Sequence, residues 1–224
     1  MCNAISVKSK KSALAKFLSI NNLDNAAISE TKLTQKHRFS MPGYCVHRAD
    51  RNQFGDRYML LVRKILFLDQ FVLPNVETIA VCLYLHKNNN TLLLFVSCCS
   101  SPDSPVLHSD LDSVFSSFDS AVLVGDMNYK HTAWNCISVD RNGRMLLSYC
   151  LSQYIAINYP DHPTYSHTIF QPSVLDIALS KHCALSKPLA VPALSCDHNL
   201  VVFEILLHPS VSESCPILDY TYAY

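Results

Sequence analysis

Three short polar signatures contain residue types that could perform chemistry on a phosphodiester. They are Ser29-Glu30-Thr31, Gly125-Asp126-Met127-Asn128 and Ser195-Cys196-Asp197-His198, in that order along the chain. Each follows, or lies within a few residues of, an apolar run typical of a buried strand. Strands that end in such groups would bring Glu, Asp, Asn and His to one edge of a sheet. These side chains can hold a divalent metal, activate water and bind phosphate, so the signatures predict phosphodiester hydrolysis.

A fourth candidate is Asp176, which lies inside an otherwise apolar strand pattern. A buried carboxylate is unfavourable unless it is paired, so we expect Asp176 to orient a histidine, with His198 as the candidate. Each acidic position also has a simpler interpretation. Asp176 could cap a strand end, Asp126 and Asn128 could form an Asx turn, and Glu30 could be an ordinary exposed residue. The fixed order of all four sites favours the functional interpretation.

The hydrophobic pattern predicts the elements that must position these residues. We expect helices over 8–18, 109–118 and 142–151, with Ser109 as the cap of the second helix and Leu151 on the buried face of the third. We expect strands over 26–28, 44–48, 58–62, 76–85, 91–99, 121–124, 154–158, 174–179 and 200–207, and loops over 161–172 and 188–195. Many short strands with a few helices predict an α/β sandwich with mixed sheets.

Length and composition are those of one globular domain. The chain has 224 residues, of which 49% are hydrophobic and 16% charged. We expect this domain to span residues 1–207, because 208–224 show no hydrophobic period and resemble a linker. The longest apolar runs are strand-length, far below the ~20 residues of a membrane helix. The N-terminus lacks a signal-peptide pattern, so we expect an intracellular protein.

Cysteine usage and net charge exclude several classes of protein. Ten cysteines occur without a secretory signal or a Cys-x-x-Cys pair, which disfavours a disulfide framework. No Cys/His cluster has the spacing of a zinc site. The formal net charge of +0 disfavours strong autonomous DNA binding. A nuclease stays compatible with this charge, because an active-site metal supplies local positive charge.

Together, the motifs resemble the endonuclease/exonuclease/phosphatase superfamily, the fold of DNase I and of apurinic endonucleases. More closely, the chain resembles the endonuclease domain of Jockey-type non-LTR retrotransposons. The run from Gly125 to Asn135, with Lys130-His131 and Trp134-Asn135, is specific to the retroelement branch. Further matching stretches are Asn3-Ala4, 28–34, 42–44, Pro163-Thr164-Tyr165, 175–177 and 195–198. The resemblance implies a four-layer α/β sandwich, with two mixed β-sheets flanked by helices.

The resemblance also implies a role for each site residue. Glu30 resembles the main metal ligand, with Asn3 close by and Asp197 as a further metal or water ligand. Asp126 resembles the residue that positions or deprotonates the attacking water, and Asn128 the residue that orients substrate and water. His198 resembles the phosphate-contacting imidazole, held by Asp176. The implied cofactor is Mg²⁺ or Mn²⁺, and the implied partner is double-stranded DNA. In a full-length element the domain would accompany a reverse transcriptase and act in the nucleus.

Three departures from the family pattern bear on activity. Only Met1 and Cys2 precede Asn3, so we expect the first strand of the fold to be missing. The family's tyrosine before the Ser-Pro turn falls at Cys99, which removes a phosphate-contacting hydroxyl. The glycine-rich turn is reduced to Gly55-Asp56-Arg57-Tyr58. These departures suggest a truncated or decayed element copy, or a fragmentary gene model.

Two alternatives to a DNA-nicking endonuclease follow from the sequence. The first is a catalytically decayed remnant that at most binds DNA or a partner, suggested by the missing strand, Cys99 and the neutral charge. The second is a lipid or inositol phosphate phosphodiesterase of the same superfamily. That second function would not explain Lys130-His131 or Trp134-Asn135.

Overall fold

The computed structural model describes residues 1–3, 7–49, 58–64, 66–71, 79–86, 91–100, 108–167, 169, 171–192 and 197–206. Its helices are α1 (Val7–Ile20), α2 (His108–Phe115) and α3 (Arg141–Ser152), with a 3₁₀ turn at Thr132–Trp134. Its strands are β1 (Cys2–Asn3), β2 (Asn25–Ser29), β3 (Tyr44–Ala49), β4 (Tyr58–Arg63), β5 (Phe67–Phe71), β6 (Ile79–His86), β7 (Thr91–Cys99), β8 (Ala121–Asp126), β9 (Ala156–Asn158), β10 (Asp176–Lys181), β11 (Ala184–Leu185), β12 (Leu189–Val191), β13 (Leu200–Val202) and β14 (Ile205–Leu206).

Two mixed sheets form the centre of the fold. The first has the order β1-β2-β4-β3, in which β1 and β2 are parallel and the other neighbours are antiparallel. The second has the order β5-β6-β7-β8-β10-β9, in which only β7 and β8 are parallel. Two further pairs, β11 with β14 and β12 with β13, are antiparallel. The predicted mixed α/β architecture is confirmed.

Strict alternation along the strands creates the layers. In β4, Met59 and Leu61 face α1, while Leu60 and Val62 face the second sheet. The second sheet divides in the same way, because Val122 and Val124 of β8 face the first sheet and Ala121 and Leu123 face α2 and α3. Side chains on a strand alternate between faces, so both sheets are apolar on both sides. The result is a four-layer sandwich, as the resemblance implied.

The expected absence of a first strand needs revision in one respect. Cys2 and Asn3 form a two-residue strand, β1, which pairs in parallel with Ile28 and Ser29 of β2. The short strand therefore occupies the edge of the first sheet beside β2.

The predicted linker at 208–224 lies outside the described residues, so the domain boundary at 207 stays a prediction. None of the described helices has both the length and the apolar character needed to cross a membrane.

Several predicted elements differ in detail from the structure. Helix α2 begins at His108, so Ser109 lies inside the helix and does not cap it. Leu151 in α3 is 56% exposed, because it falls on the solvent side of the helix. The predicted strand at 200–207 is two strands, β13 and β14, and the predicted loop at 188–195 contains β12. Residues 87–90, between β6 and β7, lie outside the described residues.

Candidate active site

The site is built where β8 ends and β10 begins. These strands are antiparallel, and their register places Asp126 directly opposite Asp176. Both carboxylates are buried, with 3% and 1% of their surface exposed. The parallel neighbour β7 ends at Cys99, which is the partner of Asp126 in the register of β7 and β8. The two acidic residues therefore lie at the same edge of the second sheet.

Gly125 allows β7 and β8 to approach each other at this edge. A Cβ atom built on Gly125 would lie 1.8 Å from the backbone oxygen of Cys98, far inside van der Waals contact. A larger residue would therefore have to push the two strands apart. This close approach explains the glycine at the first position of the Gly-Asp-x-Asn signature. It also fixes the position of the backbone from which Asp126 extends.

Thr164 anchors the start of β10. Its side chain is fully buried, and its hydroxyl oxygen accepts hydrogen bonds from the backbone N–H groups of Leu175 (2.9 Å) and Asp176 (3.0 Å). Thr164 is itself held by its N–H, which donates to the carbonyl of Ser173. The hydroxyl thus satisfies two backbone donors just where Asp176 enters the site. Thr164 lies in a stretch that resembles the family, but the resemblance implied no role for it.

His198 connects the two aspartates. Its Nδ1 lies 2.8 Å from Oδ2 of Asp176, and its Nε2 lies 3.7 Å from Oδ2 of Asp126. The first distance is a short hydrogen bond, and the second is longer than a hydrogen bond. The ring of Tyr165 packs at 4.9 Å from the imidazole, at an angle of 54°. The predicted pairing of His198 with Asp176 is thus present in the structure.

The acidic surroundings make the imidazole a stronger base. Burial on its own lowers the pKa of His198, because the charged form loses its hydration. The hydrogen bond to Asp176, together with the negative charges of Asp176, Asp126 and Asp197, more than offsets this effect. The pKa of His198 is raised to about 9. The imidazole is therefore protonated at neutral pH, with Nδ1–H directed to Asp176 and Nε2–H directed toward Asp126.

Asn128 follows β8 in a left-handed backbone conformation. Its φ is +53°, a region that asparagine adopts more readily than most residues. The side-chain amide donates a hydrogen bond of 2.9 Å to the carbonyl of Ser100, which follows β7. The Asn128 side chain is thereby tied to the loop after β7, next to the end of β8 that carries Asp126.

Glu30 and Asn3 lie at the end of the first sheet. Asn3 is the backbone partner of Ser29 in the parallel pairing of β1 and β2, so it lies beside the Ser29-Glu30 peptide. Glu30 is half-buried and has a φ of +49° immediately after β2. Strand β2 packs across the sandwich against β8, the strand that carries Asp126. The side chain of Asn3, like Ser195 and Cys196 of the third signature, lies outside the described residues.

Asp197 has a feature that matches a bound cation. Its Oδ1 is buried and accepts no hydrogen bond from the described residues, an arrangement that is costly for a carboxylate. Among those residues, no three His, Cys, Asp or Glu side chains form a metal-binding group. Mg²⁺ commonly uses only one or two carboxylates, together with water and substrate phosphate. The acidic donor set therefore fits Mg²⁺ or Mn²⁺ held partly by the substrate.

Of the seven predicted site residues, three are in mutual contact: Asp126, Asp176 and His198. Asn128 and Asp197 are sequence neighbours of that group, and Asp197 contributes to the charge acting on His198. Asn3 and Glu30 are neighbours of each other on the first sheet. The arrangement can bind one anionic group at the imidazole and orient a water molecule at a carboxylate.

Comparison with solved structures identifies the class of fold. The endonuclease domain of TRAS1, a telomere-specific non-LTR retrotransposon, superposes with a TM-score of 0.73 at 21% identity, over 92% of this chain and 96% of that one. The 3'-5' exonuclease NExo from Neisseria meningitidis gives a TM-score of 0.63 at 16% identity, over 91% and 97% of the two chains. An AP endonuclease from Archaeoglobus fulgidus gives 0.63 at 14% identity, over 91% and 97%. The protein has the DNase I-like fold.

The family follows from the sequence itself. Residues 82–202, more than half of the chain, match the family model described as "Endonuclease-reverse transcriptase". The chain belongs to this family, within the endonuclease/exonuclease/phosphatase superfamily. No curated protein matched the chain.

Proposed function

We propose that this protein is a DNA-nicking endonuclease domain of a non-LTR retrotransposon, dependent on Mg²⁺ or Mn²⁺. The observation that carries the proposal is the position of His198 at one sheet edge, with Nδ1 2.8 Å from Asp176 and Nε2 3.7 Å from Asp126. An imidazolium beside a carboxylate can bind a phosphate oxygen and hold the attacking water in the same small volume. The family membership and the retrotransposon-type fold support DNA as the substrate.

The chemistry assigned to each residue follows from its position. Nε2 of His198 lies 3.7 Å from Asp126, which is too long for a hydrogen bond. The Nε2–H group can therefore donate its hydrogen bond to a phosphate oxygen of the substrate. Asp126 orients water and takes its proton as the new P–O bond forms. The bond between phosphorus and the 3′ oxygen breaks, and that oxygen takes a proton from solvent water and leaves as a hydroxyl. Asn128 holds the loops after β7 and β8 in register around the scissile group.

Glu30, Asn3 and Asp197 are the residues that would hold the metal ion. A divalent cation supplies charge stabilisation to the phosphate and leaving oxygen when bound. In a full-length element, the released 3′-hydroxyl would prime a reverse transcriptase, and the domain would act on nuclear double-stranded DNA.

The test is nicking of supercoiled plasmid by the purified chain. We expect relaxed circles to form with MgCl₂ and not with EDTA. His198→Asn and Asp126→Asn should abolish nicking. The matched control is His182→Asn, since the exposed His182 lies at the opposite end of β10 and its left-handed backbone tolerates asparagine. Nicking that survives both site substitutions would overturn the assignment.

The end chemistry is tested on the nicked product. DNA polymerase should extend the nick directly, because a 3′-hydroxyl needs no further processing. Extension only after phosphatase treatment would show a 3′-phosphate and contradict the proposed bond cleavage.

A further inference from the structure

The run that follows Asn128, residues 129–135, takes no part in the steps of the proposed reaction. It includes His131 and Trp134, two residues by which the sequence resembles the retroelement branch. The chain folds there into a single 3₁₀ turn, Thr132–Trp134. We call residues 129–135 the Trp134 turn. Its hydrogen bonds connect it to Asn128 and to the loop after β7.

Trp134 fixes the peptide that follows Asn128. Its side chain is completely buried, and its indole N–H donates a hydrogen bond of 3.1 Å to the backbone carbonyl of Tyr129. The bond lies in the buried interior, where a carbonyl without a donor is costly. It therefore favours a single orientation of the Tyr129 peptide.

Asn128 depends on that orientation. Its φ of +53° lies in the left-handed region, which is less favourable than the right-handed one for a residue with a Cβ atom. Its side-chain amide donates to the carbonyl of Ser100 (2.9 Å), and the N–H of Ser100 donates to the carbonyl of Asp126 (2.9 Å). The Asn128 side chain can keep its bond to Ser100 only while the backbone turns in this way directly after Asp126.

The side chain of Tyr129 contacts the same loop. It is buried, and burial raises the pKa of its hydroxyl, while a side-chain hydrogen bond with Ser100 acts in the opposite direction. Tyr129 is thus held at two points, by Trp134 at its backbone carbonyl and by Ser100 at its ring. Ser100 in turn contacts both Tyr129 and Asn128.

His131 caps the Trp134 turn. Its Nδ1 accepts a hydrogen bond of 3.0 Å from the N–H of Ala133, and its ring lies 5.3 Å from the ring of Trp134. Nδ1 can accept this bond only in the neutral imidazole. Burial, together with the positive charge of Arg144, lowers the pKa of His131 and favours the neutral form.

Helix α3 anchors the base of the turn. The N–H of Lys130 donates a hydrogen bond of 2.9 Å to the side chain of Asp140, which also caps α3. A Cβ atom built on Gly143 would lie 2.0 Å from the carbonyl oxygen of Lys130, so the helix and the turn are in close backbone contact. The turn is therefore fixed on one side to α3 and on the other to Asn128.

We propose that Trp134 is a positioning residue for phosphodiester cleavage, because it holds Asn128 in its left-handed conformation through the Tyr129 peptide. The inference rests on the proposed function and adds a residue to it. His131 acts one step further out, by capping the turn that places Trp134. Trp134 is buried and touches neither substrate nor reacting atoms. Its loss should therefore slow the catalytic step and leave substrate binding unchanged.

The test compares Trp134→Phe with Tyr149→Phe. Both are buried aromatic residues of one core cluster, and each substitution removes one hydrogen bond, in Tyr149 the 2.8 Å bond to Asp112. Initial rates of plasmid nicking with MgCl₂ give kcat and KM, at a temperature where thermal unfolding shows both variants folded. We expect Trp134→Phe to lower kcat by ~10–100-fold with KM unchanged. Tyr149→Phe should change neither constant.

A second measurement requires no catalysis. In EDTA, the side-chain amide of Asn128 should exchange slowly with solvent hydrogen, because it is bonded to Ser100. NMR should show these amide resonances shifted and exchanging faster in Trp134→Phe, and unchanged in Tyr149→Phe. A parent chain that fails to nick DNA would overturn the proposed function alone, since the Asn128 resonances still decide whether Trp134 holds Asn128.

The half-buried His131 provides a variant pair that leaves the core intact. His131→Ala removes the cap of the turn, whereas His131→Asn restores a side-chain acceptor at the same position. We expect kcat to fall with alanine and to recover with asparagine. Unchanged Asn128 resonances in Trp134→Phe would overturn the proposal. An equal loss of kcat in Trp134→Phe and Tyr149→Phe would also overturn it, because the effect would then be one of core stability.

Discussion

Asp126 and Asp176 lie directly opposite each other on paired strands, yet His198 forms a short hydrogen bond with only one of them. Asp176 lies 2.8 Å from the imidazole and Asp126 lies 3.7 Å from it. The asymmetry divides the work between two chemically identical side chains. Asp176 fixes the orientation of the ring, and Asp126 faces the opposite ring nitrogen at a longer distance.

Replacing Asp176 with asparagine should lower the pKa of His198 markedly from its value of about 9. The hydrogen bond to the carboxylate and its negative charge both disappear, while burial continues to disfavour the charged ring. Measurement by NMR of the imidazole resonances in EDTA checks this expectation. Asp161→Asn is the matched control, because Asp161 is exposed and pairs with Lys187. An unchanged pKa in the Asp176 variant would show that the other carboxylates are sufficient to keep the imidazole protonated.

The stability of the metal-free protein should fall as pH rises from about 6.5 to about 9. The pKa of His198 is raised on folding from 6.5 to about 9, so the folded state binds this proton more tightly. The contribution is fully present below pH 6.5 and is lost as pH rises through 9. Thermal unfolding in EDTA across this range measures it. His198→Gln should give a flatter profile over the same interval, and an equally steep profile would assign the effect to another group.

Thr164→Val should destabilise the fold by about 1–3 kcal/mol, since two buried N–H groups lose their acceptor. Valine has a similar shape, so the loss reports the hydroxyl and not the packing. Thr164→Ser keeps the oxygen and should recover most of the free energy of unfolding. Urea denaturation of both variants provides the measurement. Nicking should also fall with valine, because the hydroxyl receives the N–H of Asp176. Equal free energies of unfolding for Thr164→Val and Thr164→Ser would show that the hydroxyl does not anchor the start of β10.

Gly125→Ala should cost about 3 kcal/mol or more, because the new methyl would overlap the carbonyl of Cys98 on the neighbouring strand. Gly43→Ala is the matched control. Gly43 has a φ of +82° and open space around it, so alanine there meets only backbone strain of ~1–2 kcal/mol. Chemical denaturation should rank the two variants in that order. A Gly125 variant as stable as the Gly43 variant would mean that β7 and β8 can separate at little cost.

The sequence predicted the centre of the site because buried charge has strict requirements. An aspartate inside an apolar run needs a partner, and this requirement led from Asp176 to His198. Thr164 could not be recognised in the same way, since a threonine before a strand is common. The two hydrogen bonds that its hydroxyl oxygen accepts form only once the chain has folded back to bring Leu175 and Asp176 beside it. Tyr165 was likewise unassigned, although its ring packs against His198.

The fold was predictable to the extent that hydrophobic periods were long. Strands β6 and β7 are apolar runs of 8 and 9 residues, whereas β1, β11 and β14 have two residues each, too few for a pattern. The position of Leu151 in α3 was misjudged for a related reason. The helix has a narrow buried face. Leu151 is the residue after the buried Cys150, and this rotation about the helix axis places its side chain in solvent.

The pairing of Met1 with Val201 spans 200 positions of the chain. On the ribosome, residue 201 is synthesised long after residue 1, so this contact can form only after residues 1–201 have been made. Contacts of such high sequence separation are formed slowly. His198, three residues earlier than Val201, arrives at the same stage. A growing chain therefore has no imidazole beside Asp126 and Asp176 until residue 198 has been synthesised.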